Sequence, residues 1–369
     1  MDKSTKIAKE STISFFGMGF GQLLRYLFTT VLARLAGADM LGIYSIANAI
    51  TRIFEVIGKL GLDQGIIRYV SQIPNNEGKR QKILSALKMG IISSLFFMLI
   101  QILLAKWLAT NIFDDITILN QVIAIHAISL PFCIIIHIAS NATQAYKILK
   151  YKMLVTEIQN PIILLITMII VYFSFSVEYM IMIPVIISSV LGSFTINIFI
   201  RRISKISVLS SLTSSFDKHL LNYSLPIMFM AVLGTVLHWT DVLMLGYYTD
   251  SATVGLYHPA ARTAGIIRIV LASFAGIYGP FLAEMYSNKM TLEMNKIFKL
   301  VTRWIITFAS PFAIFILLFP KNIMLIFGNE FINGYNILII LTIAALIQAI
   351  FGLSGTTLNM TGFPKINLI

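Results

Sequence analysis

YNILIILTIAALIQAIFGLSGTTL, residues 335–358, runs for 24 residues without a charged side chain. A bilayer core about 30 Å thick needs about 20 apolar residues in one helix, so this run is long enough to cross a membrane. It lacks the alternation of apolar and polar residues that marks a barrel strand. Nine other stretches are similarly long and apolar, and helices satisfy their own backbone groups in lipid. The sequence therefore predicts an all-α polytopic membrane protein.

Composition agrees with this class. Hydrophobic residues make up 57% of the 369 residues, charged residues 12%, and the mean hydropathy is +0.84. Soluble domains have about 45–50% apolar and about 25% charged residues. We place ten spans at approximately 12–34, 40–61, 84–108, 118–142, 153–174, 179–200, 221–246, 252–281, 298–319 and 335–358.

Positive charge alternates between the breaks that separate these spans. One set of breaks holds eighteen Lys and Arg residues and the opposite set holds three. The net charge of +12 is spread along these breaks, which argues against a nucleic-acid partner. Basic loops face the cytoplasm, so the sequence predicts a multi-pass protein of the cell inner (plasma) membrane with a cytoplasmic N-terminus.

An internal repeat predicts two helical lobes in parallel orientation. At an offset of 213 residues, a Gly-x-Tyr-x-x-Ala kernel pairs Gly42, Tyr44 and Ala47 with Gly255, Tyr257 and Ala260. Six spans separate the copies, and parallel repeats are a known transporter architecture. We expect a six-helix lobe at 1–205, a cytoplasmic linker at 206–220 and a second lobe at 221–369. The second lobe has four spans, so we expect its C-terminal two helices to be missing from this chain.

Four arginines lie deep inside predicted spans, away from the span ends: Arg25, Arg52, Arg262 and Arg268. A charged group at the bilayer centre costs from about 3 to more than 10 kcal/mol, so such residues need a partner, a cavity or a function. Guanidinium forks match phosphate oxygens, and we expect these arginines to bind an anionic substrate between the lobes. Arg262 and Arg268 point to different helix faces, so one should line the cavity and the other should snorkel or pair. Alternatively, Arg52, Glu55 and Lys59 form a self-neutralised ladder on one helix face.

A coupling proton or sodium ion has three candidate sites, Asp241, Glu55 and His238. Asp241 is equally well suited to a salt bridge with Arg262. His126 and His137 are about 16 Å apart along one helix, too far to share a metal ion, and we expect polar contacts within the bundle instead. The sequence predicts no metal site and no cofactor.

Several short motifs resemble the bacterial polysaccharide flippases of the O-antigen and capsule type. The resemblance covers nearly the whole chain and rests on Leu32-Ala33-Arg34, Gly42-Ile43-Tyr44, Arg68-Tyr69-Val70-Ser71, Asp241-Val242-Leu243-Met244-Leu245-Gly246 and Leu358-Asn359-Met360-Thr361-Gly362. These flippases belong to the multidrug/oligosaccharidyl-lipid/polysaccharide exporter superfamily, which includes multidrug antiporters and the lipid II flippase.

The resemblance implies alternating access and translocation of an undecaprenyl-pyrophosphate-linked oligosaccharide to the outer leaflet for surface polysaccharides such as lipopolysaccharide O-antigen. Arg25, Arg52 and Arg262 are similar in placement to cavity arginines of the lipid II flippase. Expected partners are the lipid-linked oligosaccharide, the bilayer, and the polymerase and glycosyltransferases of the same pathway. A cation-coupled multidrug exporter is the alternative, and we expect a transporter rather than an enzyme. A glycosyltransferase or polymerase using Asp114 and Asp115 is a further alternative, disfavoured by the short outer loops.

Overall fold

The computed structural model describes residues 3–113 and 117–361, so Asp114 and Asp115 lie outside the described part of the chain. Within those ranges every regular element is helical. The α-helices are α1 (Lys3–Gly58), α2 (Leu62–Gln72), α3 (Asn76–Asn111), α4 (Thr117–Ile128), α5 (Leu130–Ala145), α6 (Lys150–Met153), α7 (Asn160–Ser174), α8 (Tyr179–Ser204), α9 (Lys218–Tyr248), α10 (Ser251–Ser287), α11 (Thr291–Leu318), α12 (Pro320–Leu325), α13 (Tyr335–Phe351) and α14 (Leu353–Met360).

Each of the ten predicted spans is mostly helical, and the prediction of an all-α polytopic membrane protein is confirmed. Seven helices of the described part are long and apolar enough to cross a membrane, or eight if the bent pair α4 and α5 is one span. The first of the seven runs from Phe16 to Gln72 and covers all but the first four residues of the two predicted spans 12–34 and 40–61. α10 is not among them, so its role as a span stays a prediction. The chain is a multi-pass membrane protein.

The first two predicted spans form one helix with a kink, α1, where the sequence predicted a break. Gly37 has φ 82° and ψ 178° inside this helix. An L side chain is strained at such a φ, whereas glycine adopts it readily, so the chain changes direction there without a loop.

A short helix that the sequence analysis did not predict, α2, follows the break at Gly61. Its buried residues Leu62, Gly65, Ile66 and Val70 recur at intervals of three and four, which places them on one face. That face packs against α5 and α9. The polar residues between the second and third spans therefore include an amphipathic helix that joins the core.

Two irregular helical segments lie next to this core. α4 and α5 meet at an angle of 41° at Ser129, with Pro131 in the first turn of α5. Leu154–Gln159, between α6 and α7, is a π-helix. π-Helical turns are rare and often occur at functional sites because they rotate the following side chains out of the regular pattern.

The first turn of α10 crosses α1 with almost no space between the backbones. A methyl group added to Gly42 would overlap the carbonyl oxygen of Ser251, and one added to Gly255 would overlap that of Ala38. Positions 38 and 42 correspond to 251 and 255 at the offset of 213, so the two repeat copies contact each other reciprocally. Ser251 also donates a hydrogen bond to the Asp39 carboxylate. The glycine of each copy of the kernel therefore lies at this crossing.

Contacts within the chain define two compact units, residues 1–255 and residues 256–369. In the first unit α3 packs on α4 and α5, α7 packs on α8, and α1 contacts α4, α7 and α9. In the second unit α11 packs on α13. The predicted lobe boundary at 205 and the linker 206–220 stay predictions.

Candidate functional site

Arg25, halfway along the first part of α1, forms an ion pair with Glu157 on the π-helical segment. Its Nη1 and Nη2 donate to the Glu157 Oε2 at 2.9 and 2.8 Å, and Nη2 also reaches the Thr156 carbonyl oxygen at 3.4 Å. Gly21 lies one turn earlier, where a Cβ would stand 2.7 Å from the backbone and carboxylate oxygens of Glu157. The glycine therefore leaves the room in which Glu157 approaches α1.

Arg52 and Glu55 pair along the second part of α1. The Arg52 Nη1 donates to the Glu55 Oε2 at 2.8 Å. The Glu55 side chain is 4% exposed, whereas that of Arg52 is 48% exposed. Arg52 thus sits over a buried carboxylate while much of its own side chain remains accessible.

Glu55 is the centre of a larger polar cluster. Its Oε1 lies 2.8 Å from the His137 Nε2 on α5 and 3.8 Å from the Lys59 Nζ. Lys59 in turn lies 3.7 Å from an oxygen of Asp63 on α2. The ladder considered from the sequence, Arg52–Glu55–Lys59, is therefore present, and His137 and Asp63 extend it.

Lys152 on α6 connects the two arginine clusters. It interacts electrostatically with Asp63, Glu157 and Lys59, and its Nζ donates to the Gln144 Oε1 at 2.8 Å. The first unit thus gathers four permanent cations and three carboxylates at one group of helices, a nearly balanced set.

The other predicted site residues lie on α9 and α10. Asp241 and His238 are exposed on α9, where Asp241 accepts a hydrogen bond from the Val242 amide and His238 packs edge-on against Trp239. Arg262 and Arg268 belong to the second unit, in which Arg262 is half-buried and Arg268 is exposed.

The two histidines of the fourth span make the polar contacts that the sequence predicted. His126 is buried and its Nε2 lies 2.8 Å from the Ile181 carbonyl oxygen, while His137 contacts Glu55. In the described residues no group of three or more His, Cys, Asp or Glu side chains is arranged to hold a metal ion.

Sequence reasoning missed Glu157, His137 and Lys152 as members of the cluster. Glu157 had a usable signal, since it is an ionisable residue inside the predicted span 153–174. The partners of His137 and Lys152 come from other helices, and spacing along one helix does not reveal them.

An apolar cavity of about 490 Å³ lies in the same unit, beside the polar cluster rather than in it. α1, α3 and α9 line it with residues such as Ile53, Leu104 and Met244, and Tyr247 and Tyr248 also line it. Its lining suits hydrocarbon and offers little to an ion.

Comparisons with known proteins relate this fold to transporters. The family described as "Polysaccharide biosynthesis protein" matches residues 7–286. A probable low-salt glycan biosynthesis flippase, Agl15 of Haloferax volcanii, is 24% identical over 150 residues, which is 40% of this chain and 32% of the relative. The match therefore spans about a third of that relative's length.

Solved structures agree on the fold. A multidrug resistance transporter of the MATE family, in an inward-facing conformation, has a TM-score of 0.76 at 12% identity and covers 94% of this chain and 82% of its own. The lipid II flippase MurJ has a TM-score of 0.69 at 14% identity, with 97% and 78% covered. At such identities the likeness concerns the fold alone.

Proposed function

Because the chain belongs to the polysaccharide biosynthesis protein family, we propose that it is a flippase for an undecaprenyl-pyrophosphate-linked oligosaccharide. It moves this substrate from the cytoplasmic to the outer leaflet of the cell inner membrane by alternating access, with its N-terminus in the cytoplasm. The family match over 280 residues, 7–286, supports a role in polysaccharide biosynthesis. The aligned archaeal relative is called a glycan flippase, and the fold resembles flippases and exporters.

The observation that carries this proposal is the half-exposed side chain of Arg52 inside a predicted membrane span. Glu55 accepts a hydrogen bond from Nη1 alone, and 48% of the Arg52 side chain is exposed. A guanidinium has five donors, and phosphate oxygens match its planar fork. In this proposal the pyrophosphate of the substrate binds Arg52 while the lipid tail stays in the apolar phase.

The other three arginines have less direct evidence for substrate contact than Arg52. Arg25 uses both terminal nitrogens on Glu157, so we assign it mainly to holding the π-helical segment against α1. For Arg262 and Arg268, which belong to the second unit, contact with the anion stays a prediction from the sequence. The products of this step pass to a polymerase and ligase-type enzymes of the surface glycan, and the glycosyltransferases that build the oligosaccharide supply it.

A multidrug exporter is the second candidate, and one observation favours it. Three carboxylates, those of Glu55, Asp63 and Glu157, lie in the first unit, and acidic groups suit cationic compounds. Each of them already has a basic partner at 2.8–3.8 Å. We therefore favour the anionic substrate.

The experiment is complementation of a surface-glycan mutant that lacks its own flippase. We expect Arg52→Glu to abolish surface glycan while the protein stays in the membrane at the normal level, because a carboxylate repels pyrophosphate. Arg202→Glu, an equal charge change on an exposed side chain at the end of α8, should leave the glycan intact. Normal glycan with Arg52→Glu, or drug resistance without glycan in cells expressing the wild-type chain, contradicts the proposal.

A further inference from the structure

Among the three candidates for a coupling ion, Glu55 alone has a buried side chain. It is 4% exposed, whereas Asp241 and His238 are exposed on α9. A buried carboxylate with cationic neighbours stays ionised, and its negative charge stabilises a proton on an adjacent imidazole. Ionisable groups inside membrane spans commonly form proton relays.

The two oxygens of Glu55 serve different partners. Oε2 accepts a hydrogen bond from Arg52 and Oε1 lies 2.8 Å from the His137 Nε2. A neutral His137 that donates from Nε2 still has Nδ1 available for one more proton. Binding that proton turns the ring into an imidazolium and leaves the hydrogen bond to Glu55 in place.

Charged and titratable groups on neighbouring helices surround this pair. Arg52, Lys59 and Cys133 interact electrostatically with Glu55, Tyr44 and His126 interact with Arg52, and Asp63 and Lys152 both interact with Lys59. Arg52 and Lys59 balance Glu55 and Asp63. A proton on His137 therefore adds an uncompensated positive charge beside Arg52, unless an anion enters at the same time.

We propose that His137 and Glu55 form a proton-binding site that controls anion binding at Arg52. The proton binds His137 at Nδ1, the imidazolium takes up the charge of Glu55, and the hold of Glu55 on Arg52 weakens. The guanidinium is then available to the substrate pyrophosphate. Loss of the same proton restores the Arg52–Glu55 pair and expels the anion.

The polar groups continue from this site toward the end of the span that the sequence predicts to be cytoplasmic. Lys59 and Asp63 follow Glu55 at intervals of four residues. On α5, Asn141 follows His137 by one turn, is buried, and has an Oδ1 without a hydrogen-bond partner in the described part of the chain. Gln144 and Lys152, hydrogen-bonded to each other, lie beyond. Such a series gives the proton a polar route out of the apolar bundle.

This inference rests on the proposed function, and linkage makes it measurable. If protonation favours the anion, the anion equally favours protonation. We would measure binding of geranyl pyrophosphate, a soluble probe, to the full chain in nanodiscs at pH 5.5 and pH 8.0. Wild type should bind about 5–10-fold more tightly at pH 5.5, a modest allosteric coupling.

The pyrophosphate of the probe also changes its protonation over this pH range. Three variants distinguish that effect from protonation of the proposed site. Glu55→Gln, which releases Arg52 permanently, should bind tightly at both pH values. His137→Gln keeps a donor but no titration, and it should remove the pH dependence relative to wild type. His219→Gln changes an exposed histidine that packs on Tyr69, and it should behave as wild type.

Two outcomes would contradict the proton site but not the proposed flippase function. They are equal pH dependence of probe binding in wild type and His137→Gln, or weaker probe binding in Glu55→Gln than in wild type. If no variant binds the probe, the anion site at Arg52 fails, and ¹⁵N spectra of the histidine rings then decide the proton site by themselves. A His137 ring that keeps one protonation state between pH 5.5 and pH 8.0 overturns it. A ring that titrates in wild type and shifts in Glu55→Gln supports it.

Discussion

We expect alanine in place of Gly42, where α1 and α10 cross, to destabilise the protein. In Gly42→Ala the new methyl group would overlap the Ser251 carbonyl oxygen and lie 3.0 Å from the Gly255 nitrogen. Both obstacles are backbone atoms, so no side chain can rotate away. The helices have to separate by roughly 1.5–2 Å to restore an ordinary contact of about 3.5 Å, and dispersion along the crossing is lost.

Overpacking of this kind costs about 1–3 kcal/mol. Alanine also gains up to about 1 kcal/mol over glycine in a helix, so the matched comparison is another Gly→Ala change in a helix. Gly19 and Gly234 have no atom within 4 Å of the position of an added Cβ. The Gly42→Ala and Gly255→Ala variants should therefore be less stable than Gly19→Ala and Gly234→Ala by about 1–3 kcal/mol.

The assay is thermal unfolding of the purified full chain in one detergent, followed by size-exclusion chromatography. We expect both crossing variants to melt below wild type and both control variants to melt at or above it. The double variant Gly42→Ala/Gly255→Ala should lose less than the sum of the single losses, because the first separation already makes room for the second methyl group. Equal melting of Gly42→Ala and Gly19→Ala refutes the reasoning.

Three further predictions concern polar contacts of the first unit. A double-mutant cycle of Arg25→Gln and Glu157→Gln, scored by thermal unfolding, should give a coupling of about 0.5–3 kcal/mol, and zero coupling contradicts the ion pair. Burial raises the pKa of Asp217, but hydrogen bonds from Lys82 and the Leu220 amide outweigh it and hold that pKa below its usual value. The ionised carboxylate therefore contributes its full stabilisation of the fold above about pH 4, and this stabilisation is lost as pH falls through the lowered pKa. Asp217→Asn should lose less stability than wild type between pH 6 and pH 3, and an equal loss is the contrary result. Gln101→Leu removes hydrogen bonds to Thr51 at 2.9 Å and to a backbone carbonyl and should lower stability by about 1 kcal/mol, with unchanged unfolding as the contrary outcome.

The spans could be predicted from hydropathy and charge because both patterns depend on residues that are neighbours in the chain. The length of apolar runs such as 335–358 and the kernel at Gly42 and Gly255 are local patterns, and the structure contains the corresponding helices and a contact between the kernel glycines. Gly37 was read as part of a break because the sequence does not tell a loop from a helix that turns through one positive φ.

The site was less accessible to sequence reasoning for a physical reason. The sequence identified Arg25 and Arg52 as costly charges, but their compensation depends on which helices pack together. Glu157 is 132 residues from Arg25, and His137 reaches Glu55 from α5. Such pairs follow from the packing of α1 against the π-helical segment and α5, which no local pattern specifies.

We propose that this chain moves a pyrophosphate-linked lipid between leaflets and that Arg52 contacts the pyrophosphate. The direct measurement is flipping of a fluorescent polyprenyl-pyrophosphate-linked sugar in proteoliposomes, followed by the fraction that an external quencher can reach. We expect wild type and Arg202→Glu to flip the probe at equal rates and Arg52→Glu to flip at the rate of protein-free vesicles. Wild-type vesicles that do not exceed protein-free vesicles, or an Arg52→Glu variant as fast as wild type, would contradict the account.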